Sequence, residues 1–344
     1  MNVEDFRKSS GLLIDTRSPS EFQQGHIPGA YNIPLFSNEE RELVGTTYKK
    51  RGRNKAIELG MKLIGPKLLE LVKSIRILEK KMSHSNKKKI NRVKIYCWRG
   101  GMRSASFGWL LNLYSYNIVI LEGGYKSYRK WVLSQFDRKW PLILLGGRTG
   151  TNKTAIIEKM INIGLTAIDL EGLANHRGSS FGGLGLPKQP TSEHYENKIA
   201  TQLNNINITN NTLIWVEAES GNLGKCRIPN SFLKQMKNSY IVEIVKNKKE
   251  RILNLVKLYA SYDKILLIEA TERIQKRLGP QRTLKAINAI NSEQWYVACE
   301  QMLDYYDRCY EHELGKSSTL ITIDLSGISN DEAITQLQGI NVVI

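Results

Sequence analysis

The sequence predicts an α/β fold made of two tandem units, and three observations carry the prediction. The chain has 344 residues, enough for two cores. Short apolar runs alternate with segments of helical period along most of its length. Two glycine-containing loops each follow an apolar run and precede a helix, which places backbone N–H groups around an anion. The units are expected over residues 1–136 and 137–344, the second ending in a helical C-terminal part.

In the first unit, Gly11-Leu12-Leu13-Ile14-Asp15 reads as a short buried strand ending in a turn. Residues 16–22 read as a polar segment, and Gly25-His26-Ile27-Pro28-Gly29-Ala30 as loop. Residues 39–81 read as helix, because Leu59, Leu63, Leu68, Leu71 and Ile75 recur near helical period. The basic run Lys87-Lys88-Lys89 reads as a solvated connection into the strand Val93-Lys94-Ile95-Tyr96. A helix over 104–113 and a strand over 118–121 follow, then Gly123-Gly124; residues 131–140 are the expected junction.

The second unit opens on the strand Pro141-Leu142-Ile143-Leu144-Leu145. Residues 166–171 read as its next strand, with an acidic tip at Asp169 and Glu171. A second glycine-rich loop spans 175–183, and a strand over 213–216 ends in Glu217-Ala218-Glu219-Ser220. Strands and helices alternate over 142–245; from Lys246 onward the chain reads as mostly helical and strongly charged. No internal repeat is visible.

Composition narrows the classes. Hydrophobic residues are 41% and charged residues 24% of the chain, an ordinary globular balance. No apolar run reaches the roughly 18–20 residues of a membrane span, so no membrane partner is expected. The N-terminus lacks the basic-then-apolar order of a signal peptide. The cysteines, Cys97, Cys226, Cys299 and Cys309, form no CxxC pair, which favours free thiols in a reducing cytoplasm. The net charge of +17 suits a polyanionic partner, although Lys, Asn and Ile enrichment throughout is equally the mark of a biased genome.

The first loop is Tyr96-Cys97-Trp98-Arg99-Gly100-Gly101-Met102-Arg103-Ser104. A cysteine between a strand and a helix N-terminus faces backbone N–H groups, and Arg99 and Arg103 add positive charge. Both effects favour the thiolate, the nucleophilic form. Gly100 and Gly101 let the backbone wrap a tetrahedral oxyanion. A buried strand-end cysteine that only packs is the bland alternative, and the surrounding glycines, arginines and helix start weigh against it. This half resembles the rhodanese family at Asp15-x-Arg17, Glu21-Phe22, the Gly25 to Ala30 loop, Asn32-Ile33-Pro34 and the Cys97 loop. The resemblance implies that the loop cysteine carries a chalcogen. Short rhodanese loops place the arginine five positions after the cysteine, whereas Arg103 gives the C-x5-R spacing of cysteine phosphatases. A wider loop admits a larger anion, such as a phosphate bearing sulfur or selenium; phosphatase or arsenate chemistry fits the spacing as well.

The second loop, Gly147-Arg148-Thr149-Gly150-Thr151-Asn152-Lys153-Thr154, is nearly G-x4-G-K-[ST], a P-loop. Its N–H groups would cradle a diphosphate, Lys153 would neutralise it, and Thr154 would hold Mg²⁺. Asn152 replaces the last glycine; asparagine tolerates left-handed backbone, so the loop is expected to form with some strain. Arg177, in the second glycine-rich loop, is a further phosphate clamp. Asp169 and Glu217 are candidates for an acidic or metal role, with solvated strand ends as the alternative. No metal site is firmly marked by the sequence.

Four strings narrow the family: Val44-Gly45-Thr46-x-Tyr48-Lys49, the Cys97 loop, Leu121-Glu122-Gly123-Gly124-Tyr125-Lys126, and His176-Arg177-Gly178-Ser179-Ser180-Phe181-Gly182. Together they resemble the tRNA 2-selenouridine synthase family, from about Leu12 to Arg282: a rhodanese-like domain followed by a P-loop NTPase-like α/β domain. The resemblance implies a transferase acting on 2-thiouridine at the wobble position of tRNA. It implies an S-geranylated intermediate made from geranyl diphosphate, and selenophosphate as selenium donor, supplied by a selenophosphate-producing enzyme. No prosthetic group is implied. Cys97 would match the essential rhodanese cysteine and Arg103 its loop arginine, with Arg99 beside them. Gly147, Thr149, Gly150, Lys153, Thr154 and Arg177 would hold the prenyl diphosphate. Arg273, Lys276, Arg277 and Arg282 are candidates for a tRNA face, each also readable as part of a solvated helix. A sulfurtransferase or Cys-dependent phosphatase fused to a small-molecule kinase is the alternative, and predicts ATP turnover without tRNA. A non-catalytic RNA-binding protein is a third class, disfavoured because binding needs no nucleophile.

Overall fold

The computed structural model describes residues 1–86, 92–209, 212–314 and 320–340. The Lys87-Lys88-Lys89 run lies outside the described residues. The chain divides into two compact units, Met1–Gln135 and Phe136–Ile344.

The first unit runs α1 (Val3–Lys8), β1 (Leu12–Asp15), α2 (Pro19–Gln24), β2 (Tyr31–Asn32), α3 (Asn38–Ile64), α4 (Leu68–Asn86), β3 (Arg92–Tyr96), α5 (Met102–Asn112), β4 (Asn117–Ile120) and α6 (Gly124–Asp137). Its four strands form a parallel sheet in the order β2-β1-β3-β4. Leu12, Ile14, Val93 and Ile95 bury on one core with Leu71, Val72 and Ile75 of α4 and Phe107 and Leu111 of α5. Parallel strands are covered on their faces, which is why they read as continuous apolar runs.

Two expectations change here. The polar segment over 16–22 contains most of α2: Ser18 and Glu21 form a capping box and Pro19 opens the first turn. The helix over 39–81 is two helices, with non-helical backbone at Gly52 (φ 83°, ψ 176°) and a single 3-10 turn at Gly65–Lys67 between them. Pro66 in that turn has no N–H to continue the ladder. The residues read as a junction, 131–140, contain the division between the units, and are helical as far as Asp137.

The Asp15-x-Arg17 string is a buried brace. Arg17 donates to Asp15 Oδ2 through Nη2 at 2.7 Å and to the Gly25 carbonyl at 2.6 Å, and its guanidinium lies 3.7 Å from the Tyr125 ring centre. Both partners are fully buried, so removing either one leaves an unpaired charge at a cost of about 3–5 kcal/mol.

The second unit runs β5 (Leu142–Gly146), α7 (Lys153–Asn162), β6 (Ala167–Ile168), α8 (Leu170–Ala174), α9 (Ser192–Asn205), β7 (Ile214–Glu217), β8 (Asn222–Leu223), β9 (Cys226–Arg227), α10 (Asn230–Lys237) and β10 (Tyr240–Val245). It continues with α11 (Lys248–Tyr259), α12 (Lys264–Glu272), α13 (Gln275–Leu278), α14 (Pro280–Asn291), α15 (Trp295–Leu314), β11 (Leu320–Asp324) and α16 (Asn330–Gln338). A five-stranded parallel sheet has the order β11-β10-β5-β7-β6, and β8 and β9 form a separate antiparallel pair. The sheet core gathers Ile143, Leu145, Ile156, Met160, Val242 and Ile244. The helical C-terminal part has its own core around Leu267, Ile274, Ala286, Ile290 and Met302.

The strand expected over 166–171 is only Ala167–Ile168. Asp169 ends it: its carboxylate accepts from Gly172 N at 2.7 Å and starts α8, so Glu171 is helical. The largely helical C-terminal part also returns one strand to the sheet, β11, paired along β10 from Ile241 to Val245.

Candidate active site

Each unit carries its glycine-containing loop at the carboxyl end of a strand with neighbours on both sides, where parallel α/β sheets bind ligands.

In the first unit β3 delivers Cys97 and α5 begins at Met102. Gly100 has φ 64°, and a Cβ there would run into the Leu121 carbonyl, so only glycine lets the loop turn at this point. A Cβ on Gly124 would meet the loop backbone in the same way. That close approach explains the Leu121 to Lys126 string: Tyr125 N donates to Cys97 O at 2.8 Å and Lys126 N to Trp98 O at 2.9 Å. The string is the back wall of the cysteine loop.

Cys97 is 3% exposed, and its Sγ lies 3.3 Å from Ser104 Oγ. Burial by itself pushes the thiol up. The Ser104 hydroxyl and N–H, the Arg103 charge and the Gly101 backbone outweigh burial, and the thiol falls below its ordinary value. Arg103 is held in place by Glu21, with Nη1 to Oε2 at 2.7 Å, while Arg41 reaches the other carboxylate oxygen at 3.7 Å. Arg99 is exposed on the same loop. Sequence reasoning placed Glu21 only within a family string; its hold on Arg103, across 82 positions, is a product of the fold.

A lowered acid pKa means that the thiolate persists below the pH at which an ordinary cysteine protonates, about 8.5. Iodoacetamide labelling of the Cys97 peptide, followed by mass spectrometry, is therefore expected to have its midpoint below that value. In Ser104→Ala the midpoint should move up. A wild-type midpoint at or above an ordinary thiol would contradict the assignment.

In the second unit the phosphate loop lies between β5 and α7. Gly147 and Gly150 have positive φ, and Asn152 sits in the left-handed region at φ 73°, ψ 30°. Asparagine thus occupies the conformation that the missing glycine would have supplied. Lys153 Nζ donates to the Gly147 carbonyl at 2.6 Å and lies across the loop. The loop is braced from α11 and α15: Arg251 donates to Thr149 O at 3.2 Å and forms two 2.7 Å bonds to Asp307, and Asn254 donates to Gly150 O at 2.9 Å. None of these three braces was marked by the sequence, because each comes from a helix distant along the chain.

Thr154 donates to Glu171 Oε2 at 2.6 Å. Burial, with Asp169 adding to it, raises the Glu171 carboxyl, and Lys153 and Thr154 work against the rise. The second glycine-rich loop closes over this point, because a Cβ on Gly178 would lie 3.1 Å from Glu171 and 3.0 Å from Glu219. Arg177 donates to Leu184 O at 2.9 Å and contributes positive charge at Glu171. The structure thus gathers Lys153, Thr154 and Arg177 around Glu171. Asp169 caps α8, and Glu217 is fully buried, accepting from Leu170 N at 2.8 Å. Burial, with Asp169 and Glu171 nearby, pushes Glu217 well above the usual carboxylate range. Among the described residues no cluster of three or more His, Cys, Asp or Glu is placed to hold a metal ion.

The basic segment is divided. Arg273, Lys276 and Arg277 are exposed, but Arg273 also donates to Ser180 O at 3.0 Å and so anchors the second glycine-rich loop. Arg277 Nη1 lies 3.5 Å from the Tyr305 hydroxyl, and Arg282 pairs with Asp304 at 3.8 Å. Among the described residues no helix is long and apolar enough to cross a membrane.

Comparison with known proteins places both units. A rhodanese-like domain profile matches residues 3–130, and a profile described as the tRNA 2-selenouridine synthase AAA domain matches residues 140–336. A tRNA 2-selenouridine synthase from Hydrogenovibrio crunogenus is 32% identical, covering 92% of this chain and 92% of its own. One from Sulfurovum sp. is 33% identical over 92% and 93%, and one from Nitrosomonas europaea 34% over 86% and 73%.

Proposed function

Because the chain belongs to the tRNA 2-selenouridine synthase family, we propose that it converts wobble 2-thiouridine in tRNA to 2-selenouridine in two steps, each run at a different anion site. The observation that carries this reading is the contrast between the two loops. One holds a nucleophilic thiol with a lowered pKa; the other holds a lysine, a hydroxyl and an arginine but no nucleophile.

In the first step geranyl diphosphate binds with its diphosphate on the phosphate loop. The thiocarbonyl sulfur attacks the allylic carbon, the carbon–oxygen bond breaks, and diphosphate leaves with the electron pair. Lys153, Arg177 and the loop N–H groups stabilise the charge that develops on it. Thr154 and Glu171 are the residues that would hold a Mg²⁺, which would supply further positive charge as diphosphate leaves. ATP hydrolysis has no part in this scheme.

In the second step selenophosphate sits in the Cys97 loop. The thiolate attacks phosphorus, the P–Se bond breaks, and hydrogen selenide leaves. Selenium enters and leaves at the same oxidation level, so no outside oxidant is needed. Taking selenium onto Cys97 as a perselenide would oxidise it, with phosphorus departing reduced. The C-x5-R spacing and the Ser104 hydroxyl at 3.3 Å both support attack at phosphorus, since that hydroxyl supports the thiolate when water later releases phosphate. Hydrogen selenide then displaces geranyl thiolate from C2. The selenophosphate must come from a separate selenophosphate-producing enzyme.

The test is nucleoside mass spectrometry of 2-thiouridine tRNA incubated with the protein, geranyl diphosphate and selenophosphate. The expected product is 2-selenouridine, formed equally well without ATP. Formation of neither modified base, or a strict need for ATP, would reject the scheme.

A further inference from the structure

A wide trough opens beside Cys97, with a volume of about 1360 Å³. Ligand pockets usually measure roughly 300–1,000 Å³, so this one exceeds what a small anion requires. The first unit's long helix α3 and the cysteine-loop helix α5 form its walls, with Val44, Ile57, Met61, Met102 and Trp109 among the lining side chains. Met61 is 70% exposed and Trp109 62%, and both line the same trough, as the apolar side chains of a binding groove do. The positive charges of Lys49 and Arg99 stand on its margin, and Cys97 and Arg103 line it too. The string Val44-Gly45-Thr46-x-Tyr48-Lys49, which the phosphate chemistry leaves unused, borders this trough.

We propose that the trough is a terpene site: it receives the geranyl chain of the alkylated base while selenium replaces sulfur, and then releases geranylthiol. This rests on the two-step function above. In the S-geranylated base the chain is attached through sulfur to C2, the carbon that selenide attacks. Wherever C2 meets selenide freed at Cys97, the first carbon of the chain is two bonds from the reacting atom. Ten carbons must then lie against the surroundings of the cysteine loop, and the apolar surface there is this trough. The exchange balances: C2–Se forms, C2–S breaks with its electron pair on sulfur, and of the two protons of hydrogen selenide one returns to N3 of the base and the other neutralises the departing thiolate.

Size argues against one apolar cavity in the helical part of the second unit, near Thr149. It measures about 60 Å³. A cavity of about 150 Å³ is what a six-carbon ring fills, so a ten-carbon chain needs more room than that cavity has. The methionines of the trough suit a flexible, branched guest, since their side chains adapt to its shape.

The experiment compares tRNA carrying S-geranyl-2-thiouridine with tRNA carrying S-methyl-2-thiouridine, each given to the full chain with selenophosphate in single turnover. The two leaving thiolates have similar basicity, so a rate difference reports recognition of the chain. Wild type is expected to prefer the geranyl substrate by at least about tenfold, given that even one methylene in an apolar pocket is worth roughly that factor. In Met61→Glu with Trp109→Glu the ratio should fall towards one, while Met61→Leu should keep it. Equal rates for both substrates in wild type, or a ratio unmoved by the glutamates, overturns the terpene site and leaves the function standing. Conversion of neither substrate by wild type rejects the function, and the site with it.

Discussion

A Cys97→Ser protein supplied with 2-thiouridine tRNA, geranyl diphosphate and selenophosphate is expected to stop at the S-geranylated base. Serine occupies nearly the same space, but its hydroxyl is not ionised near neutral pH. Neither the Ser104 contact nor the Arg103 charge has an anion to stabilise. Removing a covalent nucleophile costs several orders of magnitude, so 2-selenouridine formation should fall roughly 10,000-fold or more. Geranylation draws on the other loop and should continue. Liquid chromatography with mass spectrometry of the digested tRNA separates the thio, S-geranyl and seleno nucleosides. Selenation at near wild-type rate would remove Cys97 from the chemistry.

The complementary result is expected for Lys153→Ala. Lys153 lies across the phosphate loop, 2.6 Å from the Gly147 carbonyl, and in the proposed first step it stabilises the departing diphosphate. Removing one group that stabilises transition-state charge typically costs about 10²–10³ in rate, and geranylation should fall by that factor. If tRNA already bearing S-geranyl-2-thiouridine is supplied, the defect should disappear. The small-molecule-kinase alternative predicts something else: loss of ATP turnover, with no dependence on the state of the tRNA. Rates of S-geranyl nucleoside formation under single turnover distinguish the two.

What was legible in the sequence follows from how local each feature is. The strand–loop–helix pattern around Cys97 and around Gly147 to Thr154 is read within ten residues, because the loop chemistry demands residue types at fixed spacing. Asn152 was likewise readable, as a left-handed position that asparagine tolerates. The devices that aim the functional side chains were not. Glu21 reaches Arg103 from α2, and Arg251, Asn254 and Asp307 brace the phosphate loop from α11 and α15; no local pattern marks such pairs. The acidic groups show the same limit. Asp169 and Glu217 each read as a candidate for an acidic or metal role, yet a helix cap at Asp169 turns the chain so that Glu171 meets Thr154. The trough was invisible for another reason. Ile57 and Met61 of α3 occur at helical spacing, and periodicity does not distinguish a residue packed on a core from one lining an open cavity. The strand β11 was hidden by the long charged helices before it, and only its pairing with β10 identifies it.

The most direct test of two anion sites running two separable steps is a relay between the two variants. Thiouridine tRNA is first treated with Cys97→Ser protein and geranyl diphosphate, purified, then treated with Lys153→Ala protein and selenophosphate. 2-Selenouridine is expected in this order, and neither in the reverse order nor with either variant alone. If Lys153→Ala cannot use the purified geranylated tRNA, or if Cys97→Ser completes both steps unaided, the division of labour between the two loops is wrong.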